Sequence, residues 1–399
     1  MAGLAVLLVL LLVLAALLRI DFFFYLFYLI SGVVLLGRWW AQRALRAVSY
    51  RRRFPSRVFW GEHPIIELDV HNRGLLPVLW LHVHDSLPIE LRSPNFYQQA
   101  LSLMPHESVT LSYNVECRRR GYYRLGPVTL QSGDLLGTLQ ASQTCTGDET
   151  LIVYPRIIPL TGVVLPSRTP YGTLPSRQRL FEDPTRVMGV RDYAPGDSLR
   201  HIAWKASAVL GRLQTRRYQP AIALDTMVFV DMDRAAYSAM RQRVATELGV
   251  VVAASLASWL VERRQAVGLA SNGHDPLAEG VPSMRHPRKG RGALVSILEV
   301  LARLERSDGP SLPGLLRRES AHLAWGSTIV VVTGRVTEEL YAALAHLKRC
   351  GFSLVLVSTD PSASFQLVRQ RASSIGVPAY EVWEEADLER WGLRLGGAA

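Results

Sequence analysis

The chain has 399 residues, of which 49% are hydrophobic, and it carries a formal net charge of +11. That length allows two or three domains with separate cores, and the hydrophobic content favours a membrane-attached protein. The three cysteines are too widely spaced for a disulfide framework or a cysteine-based metal centre, which is typical of a protein in a reducing cytoplasm: Cys117, Cys145 and Cys350.

The N-terminus contains two apolar runs, residues 4–18 and 22–36, with Arg19 and Asp21 between them. One helix over the whole stretch would be far longer than the hydrocarbon core of a bilayer, so two shorter spans joined by a polar turn are favoured. A signal peptide is the alternative, but the first residues have no basic region and no clear cleavage site follows. We therefore predict two transmembrane helices within residues 1–40.

Six arginines and no acidic residue lie between residues 38 and 53. This concentration predicts a basic juxtamembrane segment over residues 41–57, and it favours membrane lipids over nucleic acid as the acidic partner. The positive-inside rule then predicts a multi-pass protein of the cell membrane whose main domains face the cytoplasm. The predicted membrane-surface residues are Arg38, Arg43, Arg46, Arg51, Arg52 and Arg53.

Residues 58–155 predict a β-sandwich domain. Short segments of alternating polar and apolar residues are separated by turn residues, with no helical stretch between them. The predicted strands cover residues 65–70, 79–83, 108–113, 122–130 and 151–154. A stretch with Pro, Gly and Ser and no clear periodicity follows, which predicts a linker over residues 156–180.

Residues 181–218 combine many charges with a turn and a helical pattern. Asp197 follows the turn at Pro195 and Gly196, in the position of a helix N-cap. Apolar residues at helical spacing over residues 199–210 predict one amphipathic helix with a buried apolar face, ended by Gly211 as a left-handed C-cap. The remaining face carries Arg200, His201, Trp204 and Lys205.

Two interpretations of this segment stay open. In the structural one, Asp197 caps the helix, an arginine bridges it to Asp192, and Trp204 packs on the sandwich domain. In the functional one, the basic and aromatic face docks an acidic surface, since Arg and Trp are enriched in interface hot spots. The predicted partner-binding residues are Arg191, Asp197, Arg200, Trp204 and Lys205.

Strands alternate with helices over residues 219–391, which predicts a doubly wound α/β domain with a parallel sheet. The predicted strands cover residues 226–230, 266–270, 327–332, 352–358 and 379–383, and the predicted helices cover residues 244–260, 292–306 and 337–349. Residues 392–399 are predicted as a disordered tail. Ligands of such sheets bind beyond the carboxyl ends of the strands, an edge that carries Asp231, Asp233, Thr333, Gly334 and Asp360.

Asp231 and Asp233 follow the first of these strands, where a von Willebrand factor A domain has the cation-binding motif Asp-x-Ser-x-Ser. Carboxylate oxygens suit Mg²⁺, so these two residues are the candidate metal ligands. The match is degenerate, because Asp233 and Ala235 replace the serines and the later loop reads Thr333-Gly334 without a carboxylate. We expect no cofactor, with a weak Mg²⁺ site as the alternative.

The basic run over residues 285–292 opens a predicted helix and has two interpretations. Its backbone amides are suited to a phosphate group, but the run matches neither a P-loop nor a dinucleotide fingerprint. A solvated basic loop is therefore the favoured interpretation. No Ser-His-Asp, Cys-His or paired-carboxylate arrangement indicates a catalytic set.

Three segments together resemble the domain-of-unknown-function family 58: GVRDYAPGDSLRHIAWKASA (residues 189–208), RRGYYRLGP (119–127) and SGDLLG (132–137). The order of membrane spans, β domain, residues 181–218 as the family signature segment, and α/β region is similar as well. The resemblance implies a von Willebrand factor A-like fold in a membrane-anchored cytoplasmic protein. It also implies association with MoxR-type AAA+ ATPases and other A-domain proteins, and no established enzymatic activity.

The leading hypothesis is a non-enzymatic, membrane-anchored cytoplasmic scaffold or adaptor that acts with a MoxR-type AAA+ ATPase in protein assembly or envelope processes. Other von Willebrand factor A-like proteins are further expected partners, and nucleic acid is not. The alternative is a phosphate- or nucleic-acid-directed enzyme that uses Asp192, Asp197 and the surrounding arginines. A third hypothesis is cation-dependent adhesion through Asp231 and Asp233.

Overall fold

The computed structural model shows a mixed α/β chain and describes residues 2–18, 21–92, 99–133, 140–161, 182–195, 197–220, 225–278, 283–360 and 365–391. The chain divides into two compact units, Met1–Arg156 with Leu301–Arg303, and Ile157–Val300 with Leu304–Ala399. The predictions for most of the linker, for Gly196 and for the tail 392–399 lie outside the described residues.

Two helices open the first unit, α1 (Ala2–Leu18) and α2 (Asp21–Arg46), and they pack against each other. At about 1.5 Å per residue the 26-residue α2 is roughly 39 Å long, more than the ~30 Å hydrocarbon core. Its last turns bury Ala41, Ala44 and Leu45, and the Trp40 indole donates to Pro77 O at 3.1 Å. The helix therefore does not end at residue 40 as predicted, because its C-terminal turns belong to the core of the β region.

The β region of the first unit consists of short strands. In chain order they are β1 (Val48–Arg53), β2 (Arg57–Phe59), β3 (Ile65–Asn72), β4 (Val78–Asp85), β5 (Leu91–Arg92), β6 (Gln99–Leu103), β7 (Ser108–Asn114), β8 (Glu116–Cys117), β9 (Gly121–Arg124), β10 (Val128–Gly133), β11 (Gln140–Cys145) and β12 (Thr150–Tyr154). They form three antiparallel sheets, β1-β3-β7, β11-β10-β4-β6 and the two-stranded β5-β8. A fourth sheet, β2-β12-β9, is mixed, because β12 pairs parallel with β2 and antiparallel with β9.

Alternation along the strands builds the core of this unit. On β3, Ile66, Leu68 and Val70 are fully buried while the residues between them are partly exposed, the pattern of a sheet with one face inward. β1 joins this sheet through pairs from Val48↔Asn72 to Arg53↔Glu67. The β structure therefore begins before the predicted residue 58, and residues 48–53 are not a free juxtamembrane segment.

A separate two-stranded sheet opens the second unit. It consists of β13 (Glu182–Asp192) and β14 (Gln214–Pro220), which pair antiparallel with two register shifts. A 3₁₀ turn, Leu199–His201, and a short helix, α3 (Trp204–Leu210), lie between the two strands. We call residues 189–216 the signature hairpin.

The rest of the second unit is an α/β region. Its strands are β15 (Thr226–Val230), β16 (Val267–Ser271), β17 (Ser283–Arg288), β18 (Thr328–Thr333), β19 (Ser353–Ser358) and β20 (Ala379–Glu381). Its helices are α4 (Gln242–Glu262), α5 (Arg291–Arg303), α6 (Leu312–Ser320), α7 (Glu338–Arg349), α8 (Phe365–Ser374) and α9 (Glu385–Glu389). The predicted strands and helices are confirmed to within a few residues, whereas β17, α6, α8 and α9 were not predicted.

The sheet has the order β17-β16-β15-β18-β19-β20, with parallel pairing throughout except at the β17 edge. β15, β16, β18 and β19 are buried on both faces, as expected when helices cover a parallel sheet. α4 is apolar and long enough to cross a membrane, but 83% of its apolar window is buried in the protein. It is therefore a core helix of this unit.

Candidate functional site

Asp197 organises the turn of the signature hairpin. Its carboxylate accepts from Arg191 Nη2 at 2.7 Å and from the Ala194 backbone N–H at 3.1 Å, and Thr215 Oγ1 lies 3.4 Å away. The hydrogen bond from Arg191, followed by that from Ala194, lowers the pKa of Asp197 to about 2. Asp197 was predicted as a helix N-cap; instead it closes the turn before the helix and holds both strands of the hairpin together.

The predicted helix over residues 199–210 is broken in two. Ile202 makes an isolated antiparallel bridge with Thr215, and the Ala203 N–H donates to Gln214 O at 2.8 Å. Ser207 Oγ donates to Ala203 O and accepts the Gln214 N–H at 2.8 Å. Because the backbone groups of Ile202 and Ala203 pair with β14, the chain leaves the helical conformation at Ile202. It becomes helical again at Trp204.

The sequence also predicted that the apolar face of this helix is buried, and this prediction is wrong. Ile202 and Ala203 are buried, but Val209 and Leu210 are 81% and 51% exposed. Gly211 does end α3 in the predicted left-handed conformation, with φ 66°. α3 itself has seven residues, and none of them is buried.

An open cavity of about 520 Å³ lies beside α3. Its walls are mostly apolar, and Lys205 and Arg216 are its cationic members. Trp204 is 67% exposed on the same helix. We call this surface the α3 face, and define it by Val190, Ala203, Trp204, Lys205, Ala206, Val209, Leu210 and Arg216.

The predicted partner-binding residues do not all meet on the α3 face. Lys205 lines the cavity, and Trp204 and Arg200 are exposed on α3 and on the preceding 3₁₀ turn. Arg191 and Asp197 pair with each other at 2.7 Å and hold the turn. The sequence prediction did not include Arg216 among the binding residues. Arg216 lies on β14 opposite Val190, and this position is known only from the pairing of β13 with β14.

The candidate metal residues form a hydrogen-bonded cluster at the carboxyl end of the α/β sheet. Asp231 is buried and accepts from Asn272 Nδ2 at 2.9 Å, from Thr333 Oγ1 at 2.8 Å and from the Asp233 N–H at 3.2 Å. Burial raises the pKa of Asp231, and the bonds from Asn272 and Thr333 oppose that shift. Asp233 accepts the Ala235 N–H at 2.9 Å.

This cluster does not suit a dedicated Mg²⁺ ion. The oxygens of Asp231 already accept hydrogen bonds from protein donors, and Ala235 and Gly334 offer no side-chain oxygen. Within the described ranges, no group of three or more His, Cys, Asp or Glu side chains is placed to hold a metal. Asp231 follows β15, Asn272 follows β16, and Thr333 ends β18. Asn272 and Thr333 both donate to the Asp231 carboxylate, so this carboxylate connects the ends of the three strands.

The predicted membrane-surface arginines differ in their environment. Five are exposed: Arg38, Arg43, Arg46, Arg51 and Arg53. The prediction of a membrane-surface residue is wrong for Arg52, because its side chain is buried and forms ion pairs with Asp85 and Glu149. It stabilises the β core and does not face lipid.

Comparison with known proteins gives a partial family match. A model described as "Protein of unknown function DUF58" matches residues 189–361, from the signature hairpin to just beyond β19. The uncharacterized protein YeaD of Bacillus subtilis (strain 168) is 25% identical over 343 residues, which is 84% of this chain and 81% of that protein. Neither description names an enzymatic activity.

Two solved structures resemble part of the chain at low scores. The CARDB domain of the PF1109 protein from Pyrococcus furiosus is 20% identical with a TM-score of 0.20, over 27% of this chain and 86% of that one. Native alpha-2-macroglobulin from Escherichia coli is 21% identical with a TM-score of 0.25, over 28% of this chain and 17% of that one.

Proposed function

We propose that the chain is a non-enzymatic, membrane-anchored docking protein whose α3 face binds a partner protein in the cytoplasm. The observation that carries this proposal is the exposure of Trp204, Val209 and Leu210 beside two cations on one short helix and its flanking strands. Contiguous exposed apolar surface with a polar rim marks interaction sites in soluble domains.

The anchor is the pair α1 and α2. α2 has the length and hydropathy of a membrane span near the N-terminus, and α1 is apolar along its whole length. The arginines at the C-terminal end of α2 favour a cytoplasmic location for the residues that follow. Because Ala44 and Leu45 of α2 belong to the β core, the first unit would be held close to the bilayer.

The chemistry of the α3 face defines its partner. Trp204 offers a large rigid apolar surface. Lys205 and Arg216 line the neighbouring cavity, whose other walls are apolar. A helix or loop with apolar anchors and neighbouring Asp or Glu residues complements this surface. The resemblance to the domain-of-unknown-function family 58 makes a MoxR-type AAA+ ATPase the first partner to test.

We further infer a von Willebrand factor A-like fold for the α/β region. The mostly parallel sheet, with Asp231 directly after its first strand, supports this inference. Because the side chains around Asp231 are not a suitable set of ligands for a cation, we propose that the Asp231 cluster has a structural role. Cation-dependent adhesion through Asp231 and Asp233 is then not its function.

The enzymatic alternative receives less support from the same geometry. Asp197 is engaged by Arg191 and Ala194, and Asp192 accepts from Gln214 and pairs with Arg212 at 3.2 Å. Both carboxylates are therefore engaged by neighbouring donors of the signature hairpin. A general base or metal ligand needs an accessible lone pair facing the substrate.

The proposal is tested with the full-length chain in nanodiscs and the purified MoxR-type AAA+ ATPase of the same organism, by measuring Kd and association rate. Trp204→Ala should weaken binding by about 2 kcal/mol, roughly thirtyfold in Kd, as for an interface hot spot. Lys205→Glu should mainly slow association, because it reverses a charge at the rim.

Trp325→Ala is the matched control, because Trp325 is also exposed (58%) but lies in the turn before β18. Its Kd should equal that of the unmodified protein. A complex that binds equally well with Trp204→Ala, or no complex at all, would contradict the proposed docking role.

A further inference from the structure

A second cavity, of about 310 Å³, lies between β17 and the first turns of α5. Arg285, His286 and Arg288 line it from β17, and Gly292 and Ser296 line it from α5. Its apolar floor includes the buried side chains of Val267 and Ile297. This cavity is separate from the α3 face and from the Asp231 cluster.

A β-bulge explains why so many cations meet here. Val267 and Leu269 of β16 are two residues apart, but their partners Arg288 and Arg285 are three apart, so β17 has one extra residue. In a regular strand, positions 285 and 288 would face opposite sides of the sheet. The extra residue cancels that alternation, and Arg285 and Arg288 both line the same cavity.

Gly268 makes the bulge possible. A Cβ at this position would lie 2.6 Å from Arg285 O and 2.8 Å from Pro287 N, closer than real Cβ contacts allow. The missing side chain lets the bulged edge strand approach β16. The arrangement of cations is therefore built into the sheet. The favoured prediction of a solvated basic loop over residues 285–292 is wrong about the loop for residues 285–288, which belong to β17, whereas the basic residues of the run are exposed to solvent.

Among the described residues, those that line this cavity are basic or uncharged. Arg285 donates to Ser296 Oγ at 3.0 Å and to Met284 O at 2.8 Å, which holds its guanidinium at the wall. Among the described residues, none of the three cavity-lining basic side chains has a salt bridge, and the run from Ser283 to Leu298 contains no Asp or Glu. A concave site of one charge sign concentrates positive potential and attracts anions.

The first turn of α5 adds hydrogen-bond donors at the same place. Gly290 is the N-cap, with φ 94° and no side-chain acceptor for the first-turn amides. Cβ atoms at Gly290 and Gly292 would meet nothing within 4 Å, so the approach to these amides is open. Backbone N–H groups at a helix N-terminus favour an anion.

We propose that this cavity binds a small phosphomonoester. The two guanidinium groups and the α5 amides take the phosphate oxygens, since Arg is well suited to phosphate geometry. The apolar floor takes the organic part, and the volume lies at the lower end of the range for small-molecule sites. The same phosphate chemistry is offered by a soluble metabolite and by the headgroup of phosphatidate.

The test measures binding to the full-length chain in phosphatidylcholine nanodiscs by calorimetry, with phenyl phosphate and inorganic phosphate as soluble probes. Phenyl phosphate is expected to bind more tightly than inorganic phosphate, because only it covers the apolar floor. Arg285→Gln and Arg288→Gln should each weaken phenyl phosphate binding by about tenfold or more, since each removes a charged hydrogen-bond donor. Nanodiscs that contain phosphatidate form the second arm, in which competition with phenyl phosphate identifies the lipid headgroup as the source.

Arg291→Gln is the control, because Arg291 is exposed at the first position of α5 but is not among the residues that line the cavity. Its affinity should stay within about threefold of the unmodified protein, as expected for a screened surface charge. The Arg288 side chain makes no hydrogen bond to the described residues, so Arg288→Gln tests the site even if Arg285→Gln disturbs the fold. The proposal is overturned if neither soluble probe nor phosphatidate binds, or if the three variants lose affinity equally.

Discussion

Arg52 shows how strongly the role of one residue depends on its position in a strand. Its guanidinium is buried and donates to Asp85 Oδ1 at 2.5 Å, and it also pairs with Glu149. The Tyr113 hydroxyl donates to the same Asp85 carboxylate at 2.5 Å, and burial, followed by the Asp85 charge, raises the pKa of Tyr113. Arg53, one residue later, is exposed and pairs with Asp69 at the surface.

We predict that Arg52→Met lowers the free energy of unfolding by about 3 kcal/mol, because it leaves Asp85 buried without its cation. Urea unfolding of the full-length chain in detergent measures the change. Arg53→Met is the matched control and should leave the free energy of unfolding nearly unchanged, because exposed ion pairs contribute little. Equal destabilisation by both changes would show that Arg52 is not a buried partner.

At the scale of elements, the signature hairpin depends on contacts that cross between its two strands. The Asp197 carboxylate, the Ile202 bridge and the Ser207 hydroxyl all connect the turn and α3 to β14 or to Arg191. Isolated two-stranded sheets are only marginally stable. These side-chain contacts therefore hold the α3 face in shape.

We predict that Gly211→Ala destabilises the hairpin locally by about 1 kcal/mol, since an L-residue is strained in the left-handed conformation. Hydrogen exchange of the amides of α3 and β14 should become faster. Gly189→Ala is the control; a Cβ there also meets nothing within 4 Å, but Gly189 is outside the left-handed region. Unchanged exchange in Gly211→Ala would argue against the left-handed cap.

At the scale of the whole molecule, two apolar helices behave differently. None of the apolar window of α2 is buried, whereas 83% of that of α4 is. Residues 41–45 of α2 nevertheless contribute to the β core. A soluble version of the protein must therefore keep the C-terminal turns of α2, which include residues 41–45, and lack only the apolar part of the helix before them.

We predict that a chain without residues 2–36 is released from membranes by alkaline carbonate, whereas the full-length chain stays in the membrane pellet. The reason is that, among the described residues, α2 is the candidate span whose apolar window is not buried. A second deletion, of residues 2–46, should aggregate or be degraded, because it removes the buried Ala44 and Leu45. Retention of the first variant in the pellet would mean that another region anchors the protein.

Much of the architecture followed from periodicity. The strands of the α/β region are short runs buried on both faces, as β15 and β18 show, and β3 alternates with period two. Such patterns depend on local sequence alone, so they were predictable. The edge strand β17 was not, because Pro287 and the basic residues around it conceal a strand whose partner, β16, is known only from the fold.

The sequence by itself determined the apolar N-terminus, the change from alternating strands to strand and helix, the Gly211 cap and the concentration of charge in the signature hairpin. These are properties of neighbouring residues. Only the tertiary structure decided that Arg52 is buried, that Val209 and Leu210 face solvent, and that Arg285 and Arg288 line one cavity. Each of these depends on the pairing of a strand with another segment of the chain, since a partner strand decides which face of an element is covered and which remains available for binding.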